Sequence, residues 1–111
     1  MTERSSSAPP PVADLVVEDN PDESRYEAWL GERIVGIAEY ELPDDAGPMT
    51  FVHTEVLPDA EGMGVGRGLA KGALADVRTR GLRIVLECEF MQGYLRRHPE
   101  EADLVAQRSA D

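Results

Sequence analysis

Four of the seven residues from Gly62 to Gly68 are glycines, and they stand between a strand-like and a helix-like segment. Glycine adopts positive φ angles and lets another molecule touch the backbone, but inside a helix it costs roughly 0.5–1 kcal/mol relative to alanine. At a helix N-terminus the backbone N–H groups lack partners and the helix dipole adds partial positive charge, so such a turn attracts phosphate groups. A tight turn with close packing of the helix on a sheet would use the same residues.

Residue patterns on both sides of this turn predict an α+β fold. Alternating and β-branched segments before the turn indicate four strands. From Val65 the apolar residues recur with a helical period, and Gly81 is typical of the residue just after a helix. The predicted strands are 14–19, 25–30, 33–42, 49–57 and 82–89, and a short C-terminal helix is predicted over 90–97. Because strand–helix–strand connections are right-handed, the strands flanking the long helix are expected to be parallel neighbours in an otherwise antiparallel, mixed sheet.

The chain has 111 residues, which is room for one domain. Residues 1–12, rich in Ser and Pro, are predicted to be a disordered tail, residues 13–106 the folded domain and residues 107–111 a C-terminal tail. A single cysteine excludes an internal disulfide, and two histidines with one cysteine give no zinc spacing, so no metal is expected. Neither a secretory h-region nor an apolar run of membrane length is present, which predicts a cytoplasmic protein without a membrane partner.

Charge is distributed unevenly along the chain. The net charge of -11 argues against non-specific binding to nucleic acid, which needs clustered Lys and Arg. From Gly62 to Leu82, however, four bases stand against one acid, so this stretch carries +3. It is either a positive patch for an anionic ligand or a helix that carries its bases near its C-terminus, where the dipole favours them. Arg96 and Arg97 are expected to be solvated surface charges.

The glycine turn does not match the common nucleotide-binding motifs. A Gly-Lys-Ser/Thr sequence is missing, and Leu69 stands where G-x-G-x-x-G requires its third glycine. Four strands before the first helix also disfavour a dinucleotide-binding fold, which opens with a βαβ unit. The phosphate ligand is therefore not expected to be a nucleoside triphosphate or a dinucleotide.

A different phosphate-binding motif fits better. Residues 56–69 resemble the pyrophosphate-binding motif of the GNAT acetyltransferase superfamily, in which a hydrophobic strand end is followed by Q/R-x-x-G-x-G/A. Residues 53–56, Cys88-Glu89-Phe90 and residues 94–100 further resemble the small YjdJ-like branch of that superfamily. The resemblance covers nearly everything after the N-terminal tail. It implies a GNAT-like sheet with one long glycine-initiated helix and a short C-terminal helix.

The resemblance implies acetyl-CoA as the cofactor. The residues that it places at the cofactor are Val56, Gly62, Met63, Gly64, Val65, Gly66, Arg67 and Lys71. Glu61 stands where the superfamily usually has Gln or Arg. The hydrogen bonds to the diphosphate are therefore expected to come from backbone N–H groups rather than from this side chain. Arg67 and Lys71, on adjacent turns of one helix face, are placed to reach the diphosphate or the adenosine 3′-phosphate.

Four residues are catalytic candidates. By resemblance Cys88 stands near the thioester, where it is either a covalent nucleophile or a small core residue. Tyr94 lies near the position of a tyrosine that in many GNAT enzymes protonates the leaving thiolate; its alternative is half-buried packing. His53 and Glu55 are expected to share a strand face with Phe51 and to act as base, directly or through water, although His53 could instead cap the sheet edge.

These features predict a small N-acetyltransferase that transfers acetyl from acetyl-CoA to an unidentified amine. The acidic chain favours a cationic acceptor, either a small amine or a basic protein tail. Two alternatives remain at the level of sequence: a non-catalytic module that binds CoA or a protein partner, and an interaction domain without a ligand. The chain lacks the helices that larger GNAT enzymes insert after the first strand, so the acceptor site is expected to be open.

Overall fold

The computed structural model describes residues 14–43 and 47–106. The predicted tails, 1–12 and 107–111, lie outside the described residues. The strands are β1 (Val16–Asn20), β2 (Arg25–Leu30), β3 (Arg33–Glu41), β4 (Met49–Val56) and β5 (Ile84–Leu86), the helices are α1 (Val65–Thr79) and α2 (Glu89–Arg97), and two short 3₁₀ helices cover Pro58–Ala60 and Pro99–Leu104. No helix in the described part of the chain is both long and apolar enough to cross a membrane.

The five strands form one mixed sheet in the order of the chain. The pairs β1–β2, β2–β3 and β3–β4 are antiparallel, and β4–β5 is parallel. This confirms the α+β fold and the predicted parallel pair around the long helix. The last strand is shorter than the predicted 82–89, because Leu82 N–H closes the end of α1 on Val77 O and Glu89 already begins α2.

Helix α1 covers one face of the sheet. Its predicted apolar face is fully buried; the residues are Leu69, Ala70, Ala73, Leu74 and Val77. Opposite them on the sheet lie Tyr26, Tyr40 and Phe51, whose rings contact one another at centroid distances of 5.5 to 6.4 Å. Gly81 has a φ of +72° directly after the helix, as predicted.

The glycines in and before α1 fall into two groups. Gly62 and Gly64 both have a φ of +82°, so they form the turn itself. Gly66, Gly68 and Gly72 instead allow close packing: a Cβ on them would lie 2.6 Å from the Phe90 ring, 2.6 Å from Leu15 and 2.7 Å from Val17, respectively. The tight turn and the close packing of the helix are therefore both present, on different glycines, and phosphate binding by the turn stays a prediction.

A β-bulge changes the predicted faces of β4. Glu39 pairs with His53 and Tyr40 with Phe51, so Val52 is the extra residue. Phe51 is fully buried under α1, whereas the His53 and Glu55 side chains are 55% and 60% exposed. The prediction that Phe51 shares a face with His53 and Glu55 is wrong, because the extra residue shifts the alternation by one.

A polar network fixes the C-terminal end of α1 to the sheet. The hydroxyl of Tyr26 donates to Asp76 and that of Tyr40 to Asp19, each at 2.6 Å. Arg80 bridges the two acceptors, with Nη1 3.1 Å from Asp19 and 3.2 Å from Asp76. Burial raises the pKa of both tyrosines, and the hydrogen-bonded carboxylates raise it further, so both hydroxyls remain donors. We refer to these five residues as the anchor network.

Candidate functional site

The glycine turn presents free backbone donors at the N-terminus of α1. The 3₁₀ helix Pro58–Ala60 leads the chain from β4 into the turn, where Gly62 and Gly64 take positive φ angles. The first helical bond runs from Gly68 N–H to Gly64 O at 3.0 Å. The N–H groups of residues 65–67 have no intrahelical acceptor, as at any helix start, and they point out of the helix end with the positive pole of its dipole.

A cavity of about 290 Å³, here called the turn cavity, opens against these donors. One wall is the glycine turn with Val65, Gly66 and Arg67, and Val56 from the end of β4 lies beside it. The opposite wall comes from α2 and the residue after it. The residues of that wall are Phe90, Tyr94, Arg97 and His98. The cavity therefore lies between the N-terminus of α1 and one face of α2.

A second cavity of about 360 Å³, the outer cavity, lies on the other side of Arg67. Lys71 lines it, together with Glu100 and Glu101 of the second 3₁₀ helix, while Arg67 borders both cavities. Of the residues predicted at the cofactor, Met63 lines neither cavity and Lys71 lines only the outer one. Lys71 therefore shares the outer cavity with Gly64 and Gly68 but does not line the turn cavity.

Four cations of the described residues make no hydrogen bond and no ion pair. They are Arg67, Lys71, Arg96 and Arg97. All but Arg96 line one of the two cavities. By contrast, Arg78 pairs with Asp103 at 2.8 Å and Arg80 belongs to the anchor network. The predicted positive stretch is therefore half neutralised, and its other half joins Arg97 of α2. Arg97 is exposed, as expected for a surface charge, and it also lines the turn cavity.

Tyr94 is the buried polar group that borders both cavities. It is 3% exposed, its ring stacks on His98 at 4.1 Å, and its hydroxyl has no hydrogen-bond partner among the described residues. A buried hydroxyl without a partner costs about 1–3 kcal/mol, which a ligand that accepts its proton would offset. Burial raises the pKa of Tyr94, and so do the charges of Glu101 and Glu100, while Arg67 lowers it. The net rise keeps the hydroxyl protonated and able to donate.

The other three catalytic candidates lie elsewhere. Cys88 is 7% exposed at the N-terminus of α2, and its thiol donates to the Thr54 hydroxyl oxygen at 3.2 Å. His53 and Glu55 lie on the face of the sheet away from α1, with Nε2 and Oε1 3.4 Å apart. Of the four candidates, the structure therefore brings only Tyr94 to the cavities. Cys88 lines neither cavity, and the His53–Glu55 pair lies on the opposite face of β4.

Three lining residues from α2 and its C-terminal end were absent from the predicted site. Phe90, Arg97 and His98 line the turn cavity with Tyr94. The spacing of 90, 94, 97 and 98 is that of one helix face, i, i+4, i+7 and i+8, so a helical projection of α2 would have grouped them. Their role remained hidden because this face is turned toward α1 only in the tertiary structure.

The turn cavity has the groups that the diphosphate and pantetheine arm of coenzyme A would need. Free N–H groups and two unpaired guanidinium groups, from Arg67 and Arg97, suit a diphosphate. Val56 and Phe90 offer apolar contact for an alkyl arm, and the Tyr94 hydroxyl is an unused donor. Glu61 is the only acidic residue of the lining. The residues present fit the cofactor that the sequence predicts.

Comparisons with known proteins agree with this geometry. A family model described as GCN5-related N-acetyl-transferase matches residues 25–104. A mycothiol acetyltransferase of Geodermatophilus obscurus is 42% identical over 64 residues, which cover 53% of this chain and 21% of the relative. The chain thus spans about a fifth of that curated protein. The solution structure of a GCN5-like protein from Staphylococcus aureus has the same fold, with a TM-score of 0.63 at 21% identity, covering 88% of this chain and 94% of the other.

Proposed function

The chain belongs to the GCN5-related N-acetyltransferase family, and on this premise we propose that it transfers the acetyl group of acetyl-CoA to an amine. One observation carries the proposal: the turn cavity combines free backbone donors, unpaired cations and the buried, unpartnered hydroxyl of Tyr94. A relative named for acetyl transfer supports it, although the match covers only part of that protein. The narrower YjdJ-like assignment and the cytoplasmic location stay predictions.

Binding is proposed to use both cavities. The N–H groups at the start of α1, together with Arg67, hold the diphosphate in the turn cavity. Val56, the last residue of β4, lies beside the pantetheine arm, in the part of the strand beyond Phe51 that does not pair with β5. Lys71 faces the adenosine 3′-phosphate from the outer cavity. Glu61 is exposed, so its carboxylate can turn to solvent and leave the backbone donors free.

Two proton transfers are proposed for the reaction. Acetyl-CoA supplies a reactive thioester when bound, but the acceptor amine must first be neutral, which costs roughly 4–5 kcal/mol at pH 7 for a pKa near 10.4. His53 and Glu55 are proposed to accept that proton, directly or through water, with the acyl end of the cofactor reaching their face of the sheet beyond Phe51, where β4 and β5 no longer pair. Tyr94 is proposed to donate its proton to the leaving thiolate; its raised pKa keeps the hydroxyl protonated until then, although it also makes it a weaker acid.

The acceptor is proposed to be a cation, either a small amine or a basic protein tail. The face of the sheet away from α1 carries carboxylates near the proposed base: Glu39 pairs with His53, and Glu55 follows two residues along β4. Glu18 of β1 is exposed as well. Glu27 of β2 is buried and accepts hydrogen bonds from three side chains, so it is not available to an approaching amine. A positively charged amine would approach this face with favourable electrostatics.

Cofactor binding is tested by thermal unfolding with and without acetyl-CoA. A ligand at 100 times its Kd should stabilise the folded state by about 2.7 kcal/mol. Millimolar acetyl-CoA that produces no shift would contradict the proposal. Catalysis is then tested by CoA release with a panel of amines. Tyr94→Phe should lower the rate by about 10²-fold or more while acetyl-CoA still shifts the unfolding temperature.

The mass of the Cys88 peptide after incubation with acetyl-CoA separates two routes of transfer. An acetylated peptide, formed when Sγ attacks the thioester carbon, loses its proton and releases the CoA thiol, indicates a covalent route. An unmodified thiol together with CoA release indicates direct transfer to the amine. Acetyl-CoA binding without CoA release from any amine would instead favour a non-catalytic CoA-binding module, and no binding would favour a protein-interaction domain.

A further inference from the structure

We propose that Arg97 binds the diphosphate from the wall opposite the glycine turn, so that the anion is held between α1 and α2 and not by α1 alone. This inference rests on the proposed function, since it concerns how the same cavity holds its ligand. Within the described residues Arg97 makes no hydrogen bond or ion pair, yet it lines the turn cavity at the last turn of α2. An unpaired guanidinium at the edge of a cavity is available for a phosphate group.

The neighbouring arginine shows that position, not charge alone, distinguishes Arg97. Arg96 is also exposed, also unpaired, and lines neither cavity. Both guanidinium groups lie at the same distance, 3.6 Å, from the position of a Cβ on Gly93. Both side chains thus fold back over Gly93, and only that of Arg97 reaches the lining of the turn cavity.

The opposite wall carries a matching cation. Arg67 lies over the glycine turn, with Nη2 3.3 Å from the position of a Cβ on Gly64. With Arg97 across the cavity and Glu61 as the one acid, the lining has a net charge of +1 when His98 is neutral. Each guanidinium offers two parallel donors that match two phosphate oxygens. A diphosphate has enough oxygens to accept from both walls and from the backbone N–H groups at once.

Like charges facing each other across an empty cavity also predict the behaviour of the free protein. Replacing Arg97 with glutamine removes a repulsion from Arg67 and breaks no bond of the folded state. The stability of the unliganded variant should therefore equal or slightly exceed that of the wild type. A structural role for Arg97 would produce the opposite result, a loss of stability without ligand.

The test compares Arg97→Gln with Arg96→Gln at one fixed ionic strength, because exposed charges are screened by salt. Calorimetry would measure the Kd of CoA, 3′-dephospho-CoA and inorganic pyrophosphate for both variants and the wild type. R97Q should weaken all three by about tenfold, since all contain a diphosphate. R96Q should change each Kd by less than about threefold. Arg97→Lys should recover part of the loss, because it restores the charge but not the paired donors.

The outcomes separate this inference from the proposed function. Equal effects of R97Q and R96Q, with normal CoA binding by the wild type, would overturn the role of Arg97 and leave the proposed function standing. Wild-type protein that binds pyrophosphate in an Arg97-dependent manner but not CoA would support the anion site and contradict the proposed function. Wild-type protein that binds neither ligand would contradict both.

Discussion

The two ends of α1 use the same kinds of residue in opposite ways. At the C-terminal end, Arg80, Asp76 and their partners in the anchor network form hydrogen bonds with one another. At the N-terminal end, Arg67 and the first N–H groups of the helix have no partner among the described residues. One end holds the helix on the sheet, and the other presents unused donors to a cavity.

This difference separates stability from binding along a single helix. Polar groups that are already paired contribute to the fold and offer nothing to a ligand, whereas unpaired donors contribute little to the fold and can bind. Substitutions at the C-terminal end should therefore change the free energy of unfolding and leave ligand affinity alone. Those at the N-terminal end should do the reverse.

The largest effect on stability is expected from Asp76→Ala. It removes the acceptor of the buried Tyr26 hydroxyl and one of the two carboxylates of Arg80, so the free energy of unfolding should fall by about 3 kcal/mol. Urea unfolding would measure the loss. Tyr26→Phe serves as the matched control, since it leaves Asp76 bonded to Arg80 and should cost less. A loss below about 0.5 kcal/mol for D76A would show that the C-terminal end is not anchored by this network.

Gly72→Ala tests whether tight packing extends into the middle of α1. Its Cβ would lie 2.7 Å from the Val17 Cβ, closer than such atoms approach, so overpacking should cost about 1–3 kcal/mol. Gly93→Ala in α2 is the control, because its nearest atoms lie 3.6 Å away at the ends of arginine side chains and alanine favours a helix. It should stabilise the protein by up to about 1 kcal/mol. Two variants of equal stability would contradict the close approach of α1 to β1.

Alkaline pH should lower the free energy of unfolding through the tyrosines of the anchor network. Burial and the neighbouring carboxylates raise the pKa of Tyr26 and Tyr40 in the folded protein, while an unfolded tyrosine titrates near pH 10. Above pH 10 the tyrosines of the unfolded chain lose their protons, while those of the folded chain keep them. Each of the two tyrosines should therefore lower the free energy of unfolding by about 1.4 kcal/mol at pH 11. Urea unfolding at pH 8 and pH 11 measures this loss. Tyr26→Phe should reduce the difference in the free energy of unfolding between pH 8 and pH 11. An unchanged difference would show that Tyr26 does not cause the loss.

The smallest effect on stability is expected from Arg67→Gln at the open end. Arg67 has no partner to lose, so the free energy of unfolding should change by less than about 0.5 kcal/mol, while the stabilisation by acetyl-CoA should decrease. The same substitution at the other end, Arg80→Gln, removes contacts with Asp19 and Asp76 and should lower stability. It should leave the stabilisation by acetyl-CoA unchanged. Similar unfolding midpoints for the two variants would contradict the contrast between the ends.

Local patterns predicted most of the fold. The helical period located α1, Gly81 marked its end, and the crossover rule predicted the parallel pairing of β4 with β5. These features depend on residues that are neighbours in sequence, or on the general right-handedness of strand–helix–strand connections. The glycine turn was likewise visible, although only the structure separated the turn glycines from the packing glycines.

Features that depend on distant partners were predicted less well. The bulge at Val52 is specified by the register with β3, so the alternation of β4 alone gave the wrong face for Phe51. Arg78 lies within the basic stretch, but its charge is neutralised by Asp103, 25 residues along the chain. Arg97 became a cavity residue only because α2 packs against the start of α1. In each case the deciding contact comes from another element.

Strand order that follows chain order has a consequence for how the molecule assembles. The first three strand pairs join neighbours through short connections, so they need only local contacts to form. The pairing of β4 with β5 must wait for the whole of α1 to cross over, which makes it the pairing with the greatest loop-closure entropy. The donors of the glycine turn and the cations of α2 meet only after that step. The sheet can thus form early, and the part that recognises a ligand is the last to be completed.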